Sequence, residues 1–87
     1  MRTTWREMIF EEMQAHGESF NDVIENTMTA AEMNVKFDSG YGGSNGIAFT
    51  VWTHKRVYFP AVYDGAEWVA SVSRFPDFVP TYHIGGE

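Results

Sequence analysis

Over the first sixteen residues the pattern has a helical period: Trp5, Met8, Ile9, Glu12, Met13 and His16 fall at i, i+3, i+4, i+7, i+8 and i+11 and form one stripe. Thr4 with Glu7 three residues on matches a capping box, and Gly17 is a natural stop, so the spacing predicts a helix over 4–16. Ser19 with Asp22 predicts a second, short helix running through Val23 and Ile24. Thr29 with Glu32 predicts a third, ending near Phe37. Both are one to two turns long and need tertiary support.

After the stretch "DSGYGGSNG", residues 38–46, the period changes to two. The segments 47–53, 57–63 and 66–74 are rich in β-branched and aromatic residues and predict three strands. Asp64-Gly65 is a strong two-residue hairpin signal, a type I′ turn. It sets Tyr63 opposite Ala66, Ala61 opposite Trp68, Phe59 opposite Ala70 and Val57 opposite Val72. The face carrying Val57, Phe59, Ala61, Trp68, Ala70 and Val72 is then the expected core face. A three-residue loop His54-Lys55-Arg56 would add Ile47, Phe49 and Val51 to it, whereas a two-residue loop His54-Lys55 would add Ala48, Thr50 and Trp52. The first buries more aliphatic surface and is preferred. Pro60 lacks a ladder donor, so a bulge or register break is expected there, with the first strand pairing before it and the third after it.

The opposite face would show Trp52, Tyr58, Pro60, Val62 and Val69, an apolar patch of a kind that is covered or used. The tail "FPDFVPTYHIGGE" is extended by composition and could lie across it; a partner or a second copy is the alternative cover, so the chain is expected as monomer or homodimer. The fold class is α+β: one long and two short N-terminal helices on a three-stranded antiparallel meander, with an extended C-terminal tail. The 87 residues make a single domain: a helical half 1–37, a glycine-rich connection 38–46, a sheet 47–74 and a tail 75–87.

Composition narrows the function classes. Apolar residues at 44% and aromatics at 16% exclude a disordered chain. No cysteine is present, so disulfides and thiolate metal sites are excluded and a reducing compartment fits. There is no signal-peptide-like start and no run of 18 apolar residues, so a soluble protein with no membrane partner is expected. A net charge of −6 argues against direct nucleic-acid binding and favours a basic partner or none.

Candidate chemistry is sparse. A phosphate-cradling loop needs a strand before, a helix after and a lysine following its glycines. "DSGYGGSNG" has the reverse order, and its glycines are better read as a crossover. His16, His54 and His83 show no metal-ligand spacing, and the serines Ser39, Ser44, Ser71 and Ser73 have no elbow or ordered base. No enzyme activity, metal or cofactor is expected. What remains is acidity. Glu7 and Glu11 lie at i, i+4 on the first helix, Asp22 and Glu25 at i, i+3 on the second, with Glu18 between them and Glu32 beyond. An ordinary solvated face is one reading. A negative patch that meets a Lys/Arg groove is the other, with Tyr41 as an aromatic anchor in the connecting loop.

The segments "TWREMIFEEMQAHGESFNDV", "DSGYGG" and "FTVWTHKRVYFPAVYDGAEWVASVSR", which cover most of the chain, resemble a family of small proteins encoded by bacteriophages and mobile elements. The sequence is also similar to phage anti-CRISPR proteins of the small acidic type that bind a type I surveillance complex and keep target DNA out. That resemblance implies a non-enzymatic inhibitor in the host cytoplasm, whose partner is a basic, nucleic-acid-binding surface on a subunit of a CRISPR-Cas effector. These proteins share no common motif, so the resemblance assigns no residues.

Overall fold

Helix α1, Trp5–Ala15, has the ends its sequence predicts. Thr4 Oγ1 accepts the Glu7 amide at 3.1 Å, and the chain leaves through His16 to Gly17 at φ 70°. The Glu7 carboxylate turns instead to the Thr3 hydroxyl, at 3.3 Å. The computed structural model describes residues 2–40 and 46–84.

The next two predicted helices are each cut to a single turn, after which the chain goes on to a strand. The Ser19/Asp22 capping box forms, but it closes only a 3₁₀ turn over Phe20–Asp22. The chain then extends as β2, Val23–Asn26. Val23 and Ile24 are β-branched and lose rotamer freedom in a helix; a ladder against a neighbouring strand outweighs one more unsupported turn. Likewise the Thr29/Glu32 box builds α2, Ala30–Met33, a single turn. Beyond it Phe37–Asp38 forms β3, which pairs antiparallel with β1, Arg2–Thr3. The remaining strands are β4 Val51–Thr53, β5 Arg56–Tyr63 and β6 Ala66–Ser73. Among the described residues there are thus two α-helices and six strands in two sheets. The α+β class holds, and the three-helix, three-strand arrangement does not.

The main sheet has the order β2-β4-β5-β6, antiparallel throughout. The β5–β6 hairpin has the expected register, Tyr63↔Ala66 to Val57↔Val72, and Asp64 and Gly65 hold φ 51° and 82°, as a type I′ turn needs. Its ladder also runs unbroken past Pro60, which pairs with Val69. Counting from the turn, Pro60 is in a non-hydrogen-bonded pair. Its missing N–H therefore faces β4, which pairs with β5 only through Tyr58 and Val57. No bulge is needed there. The bulge is in β2, where Val23 pairs with Thr53 and Glu25 with Trp52, leaving Ile24 extra.

The β4–β5 loop is the two-residue His54-Lys55 form, because Thr53 Oγ1 accepts the amides of Lys55 and Arg56 at 3.1 and 2.9 Å. Strand β4 is also shorter than its pattern. Ile47 gives its carbonyl to the Trp5 indole at 3.0 Å and stays outside the ladder.

Helix α1 packs on the face of Tyr58 and Val69, the face expected to lie outside, and the two-residue loop brings Val51 to that face rather than to the side of Val57. Trp5, Ile9 and Met13 meet those strand residues and Met28, Phe37 and Phe49 in one core. The molecule measures 35 × 30 × 19 Å, and its thin dimension fits one helix layer on one sheet layer at about 10 Å spacing. Gly46 closes the glycine-rich connection against this core: a Cβ there would lie 2.5 Å from the Trp5 ring. That close approach, rather than a positive φ, is why glycine is needed. Gly46→Ala is expected to destabilise the fold by about 1–3 kcal/mol, measured by urea unfolding; an unchanged midpoint would mean Trp5 has another seat.

Candidate interaction surfaces

The two faces of the β5–β6 hairpin differ in a way that hydropathy alone reads backwards. Toward α1 the strands present Arg56, Tyr58, Val69, Ser71 and Glu67, and the polar groups among them find partners. Away from α1 they present Val57, Phe59, Ala61, Trp68, Ala70 and Val72, with Trp52 of β4 opposite Val57. Only Ala61 and Ala70 are buried there, between larger neighbours; Trp52, Val57, Phe59, Trp68 and Val72 are half-buried and lie outside the core cluster. The more apolar face of the sheet is the one turned away from the helix. An apolar patch of this kind is one that a small two-layer fold covers or uses.

The buried polar groups explain the choice of face. Glu18, 8% exposed, accepts from the Tyr58 hydroxyl at 2.5 Å and from Thr53 Oγ1 at 3.1 Å. Glu12 accepts from Ser71 Oγ at 2.8 Å and contacts His16 Nε2 at 3.1 Å, and Ser71 in turn accepts from Arg56 Nε at 3.0 Å. Glu67 accepts the Gly46 amide at 3.0 Å. Burial, then the hydrogen bond to Glu18 and its charge, push the Tyr58 phenol well above its ordinary range. These groups hold α1, the Gly17–Glu18 corner and the sheet together. The order is not that of a Ser–His–acid triad: His16 contacts the Glu12 carboxylate and not Ser71, and the carboxylate itself accepts from the hydroxyl. Among the described residues no group of three or more His, Cys, Asp or Glu could hold a metal ion.

The acidic residues are not gathered on one face. Glu7 and Glu11 are exposed on α1. Asp22 and Glu32 are exposed, but each carboxylate caps a backbone N–H, of Ser19 at 2.9 Å and of Thr29 at 2.8 Å. Glu18 is internal, so its carboxylate is closed to a partner. Glu25 is on a strand rather than a helix and, lying opposite Trp52, is on the far side of the sheet from α1. Tyr41 lies outside the described residues. His54 is in the β4–β5 turn and His83 in the tail. An open groove of about 450 Å³ beside α1 is lined by Arg6, Glu7, Phe10 and Lys36, a mixed set in which Arg6 lies over the Phe20 ring at 4.7 Å.

The tail does not lie across either sheet face. Phe78 is 98% exposed and Tyr82 90% exposed, and Phe75 and Val79 are exposed as well. No helix among the described residues is long and apolar enough to cross a membrane. No protein-family model, curated protein or solved structure matches the chain.

Proposed function

We propose that the protein is a non-enzymatic interaction module that docks a protein partner through the aromatic outer face of its sheet. The observation that carries this is the inverted sheet: Trp52, Phe59 and Trp68 lie outside the core while polar side chains are buried beneath α1. Such half-buried aromatics are the residue types that dominate binding energy in protein interfaces. The resemblance to small phage-encoded proteins supplies a setting, an anti-CRISPR-like inhibitor in the host cytoplasm that occupies a basic, nucleic-acid-binding surface of an effector complex. In that setting the sheet face supplies the apolar contact. Glu11 and Glu25, exposed and with no ion-pair partner among the described residues, add long-range steering toward the basic target.

The test is affinity capture from host lysate with mass spectrometry, comparing the wild type with Trp52→Ser/Trp68→Ser. A protein held by the wild type should be weakened by about 30-fold or more in the variant, which still melts cooperatively. Reversing charge at Glu7, Glu11 and Glu25 should instead slow association and flatten its salt dependence. A partner retained in full by the double tryptophan variant removes the sheet-face reading. One lost only on charge reversal assigns the contact to the acids.

A further inference from the structure

We infer that in the free protein the occupant of the outer sheet face is the C-terminal tail of a second copy, so that two chains exchange tails across a two-fold axis and any other partner of that face has to displace a tail. This rests on the reading of that face as a docking surface and adds who docks there. The same chain carries both halves of the contact: an apolar sheet face that lies outside the core cluster, its larger side chains half-buried, and an extended segment whose large apolar side chains Phe75, Phe78, Val79 and Tyr82 are exposed.

Geometry suits the exchange. The tail from Phe75 to Ile84 spans about 33 Å when extended, longer than the roughly 27 Å of an eight-residue strand such as β6. Pro76 and Pro80 keep the residues before them extended. Ser73 Oγ bonds both the N–H and the carbonyl of Phe75, at 3.2 and 2.6 Å, which directs the tail off the end of β6. Phe78 holds φ 62°, a left-handed backbone unfavourable for a bulky residue, with its ring in solvent. Docking would take the ring out of solvent.

Area decides between the possible dimers. The outer face, two long strands and two short ones, offers roughly 400 Å². Face against face would bury roughly 800 Å² in total, below the roughly 1,200 Å² of a stable interface. Tail on face in both directions buries roughly 1,600 Å², a standard interface, since three aromatics and a valine cover at least as much as the face presents. The face itself carries little charge, with Glu25 at one margin and Arg74 at the other. Two chains of charge −6 repel at long range, so this association strengthens with salt. Docking on a basic partner weakens with salt.

Sedimentation equilibrium of the full chain tests the exchange, using the wild type, a face variant Trp68→Glu and a tail variant Phe78→Ser/Tyr82→Ser. The tail residues are exposed, so the tail variant folds whatever becomes of the face variant; if Trp68→Glu fails to fold, Trp52→Ser replaces it. The wild type should be dimeric at about 100 µM, and each variant alone should associate about 100-fold more weakly. An equimolar mixture of the two should recover a heterodimer, because one sound tail then meets one sound face. A wild type monomeric at every concentration overturns the exchange and leaves the docking reading to the capture assay. A tail variant that still dimerises, or a mixture that stays monomeric, overturns it as well. A lysate protein retained by the tryptophan variant overturns the docking reading instead.

Discussion

Trp5→Ala should lower the unfolding free energy by about 3–5 kcal/mol, while Trp68→Ala should lower it by less than about 1.5 kcal/mol. Both side chains are large, aromatic and identical in type, so the contrast isolates position. The Trp5 ring is 1% exposed and meets Phe37 and Phe49 with centroids 4.7 and 4.9 Å apart. Its indole N–H donates to the Ile47 carbonyl, and Gly46 has no side chain so that the ring can fit. Truncation opens a cavity that the single turn of α2 and the short β1–β3 pair are poorly placed to refill. For a chain of 87 residues the whole stability is of order 5–10 kcal/mol, so about half of it rests on one side chain. Trp68 lies on the outer face, across the sheet from that core. Urea unfolding followed by far-ultraviolet circular dichroism measures both. Equal losses would mean that the sheet faces have been assigned the wrong way round.

That assignment is where sequence and structure part. Helix α1 and the Asp64-Gly65 hairpin were legible because each is specified locally: a cap, a stripe and a stop in one case, two positive-φ positions in the other. Even the pairs Phe59↔Ala70 and Ala61↔Trp68 follow from the turn alone. Which face is buried is a tertiary matter. Counting apolar groups favours Phe59 and Trp68 over Tyr58 and Ser71, and the count misleads. The polar groups are satisfied inside by Glu18 and Glu12, and the sequence places those acids 40 and 59 positions away from their partners. The same blindness affects the acids. Glu18 reads as a surface charge and serves as an internal acceptor, and Glu25 reads as helical and belongs to a strand because β4 offers Val23–Asn26 a ladder. A signal was present in the β4–β5 loop: choosing His54-Lys55 as the two-residue turn puts Trp52 beside Val57 and leaves Val51 to Tyr58 and the core.

For function this shifts the weight from charge to the sheet. An acidic patch spread over residues 7–32 would have needed those residues on one side. The fold instead leaves Glu7 and Glu11 on the helix layer, Glu25 beyond the sheet and Glu18 between them. The aromatic face, by contrast, is contiguous because strand pairing makes it so.

Tyr58→Phe should reduce stability by about 1–3 kcal/mol at neutral pH, and above pH 10 the gap to the wild type should close. The hydroxyl is a donor to the buried Glu18 carboxylate, so its loss leaves Thr53 Oγ1 as the remaining side-chain donor to a charge within the fold. The pH dependence follows from the phenol, whose native pKa lies above its ordinary value because of burial first and the Glu18 bond second. An unfolded chain releases this proton near pH 10, while the folded protein holds it to higher pH. The stabilisation from that difference is therefore complete below about pH 10. It is lost as pH climbs toward the native value, by up to about 1.4 kcal/mol per pH unit. Phenylalanine cannot titrate, so the variant escapes this part of the alkaline loss. Unfolding free energies of both proteins at pH 7, 9, 10.5 and 11 give the difference directly. A gap that stays constant through pH 11 would show that the Tyr58 proton is no harder to remove from the native protein than from the open chain. The Tyr58–Glu18 pair could then not be what turns the polar face of the sheet inward.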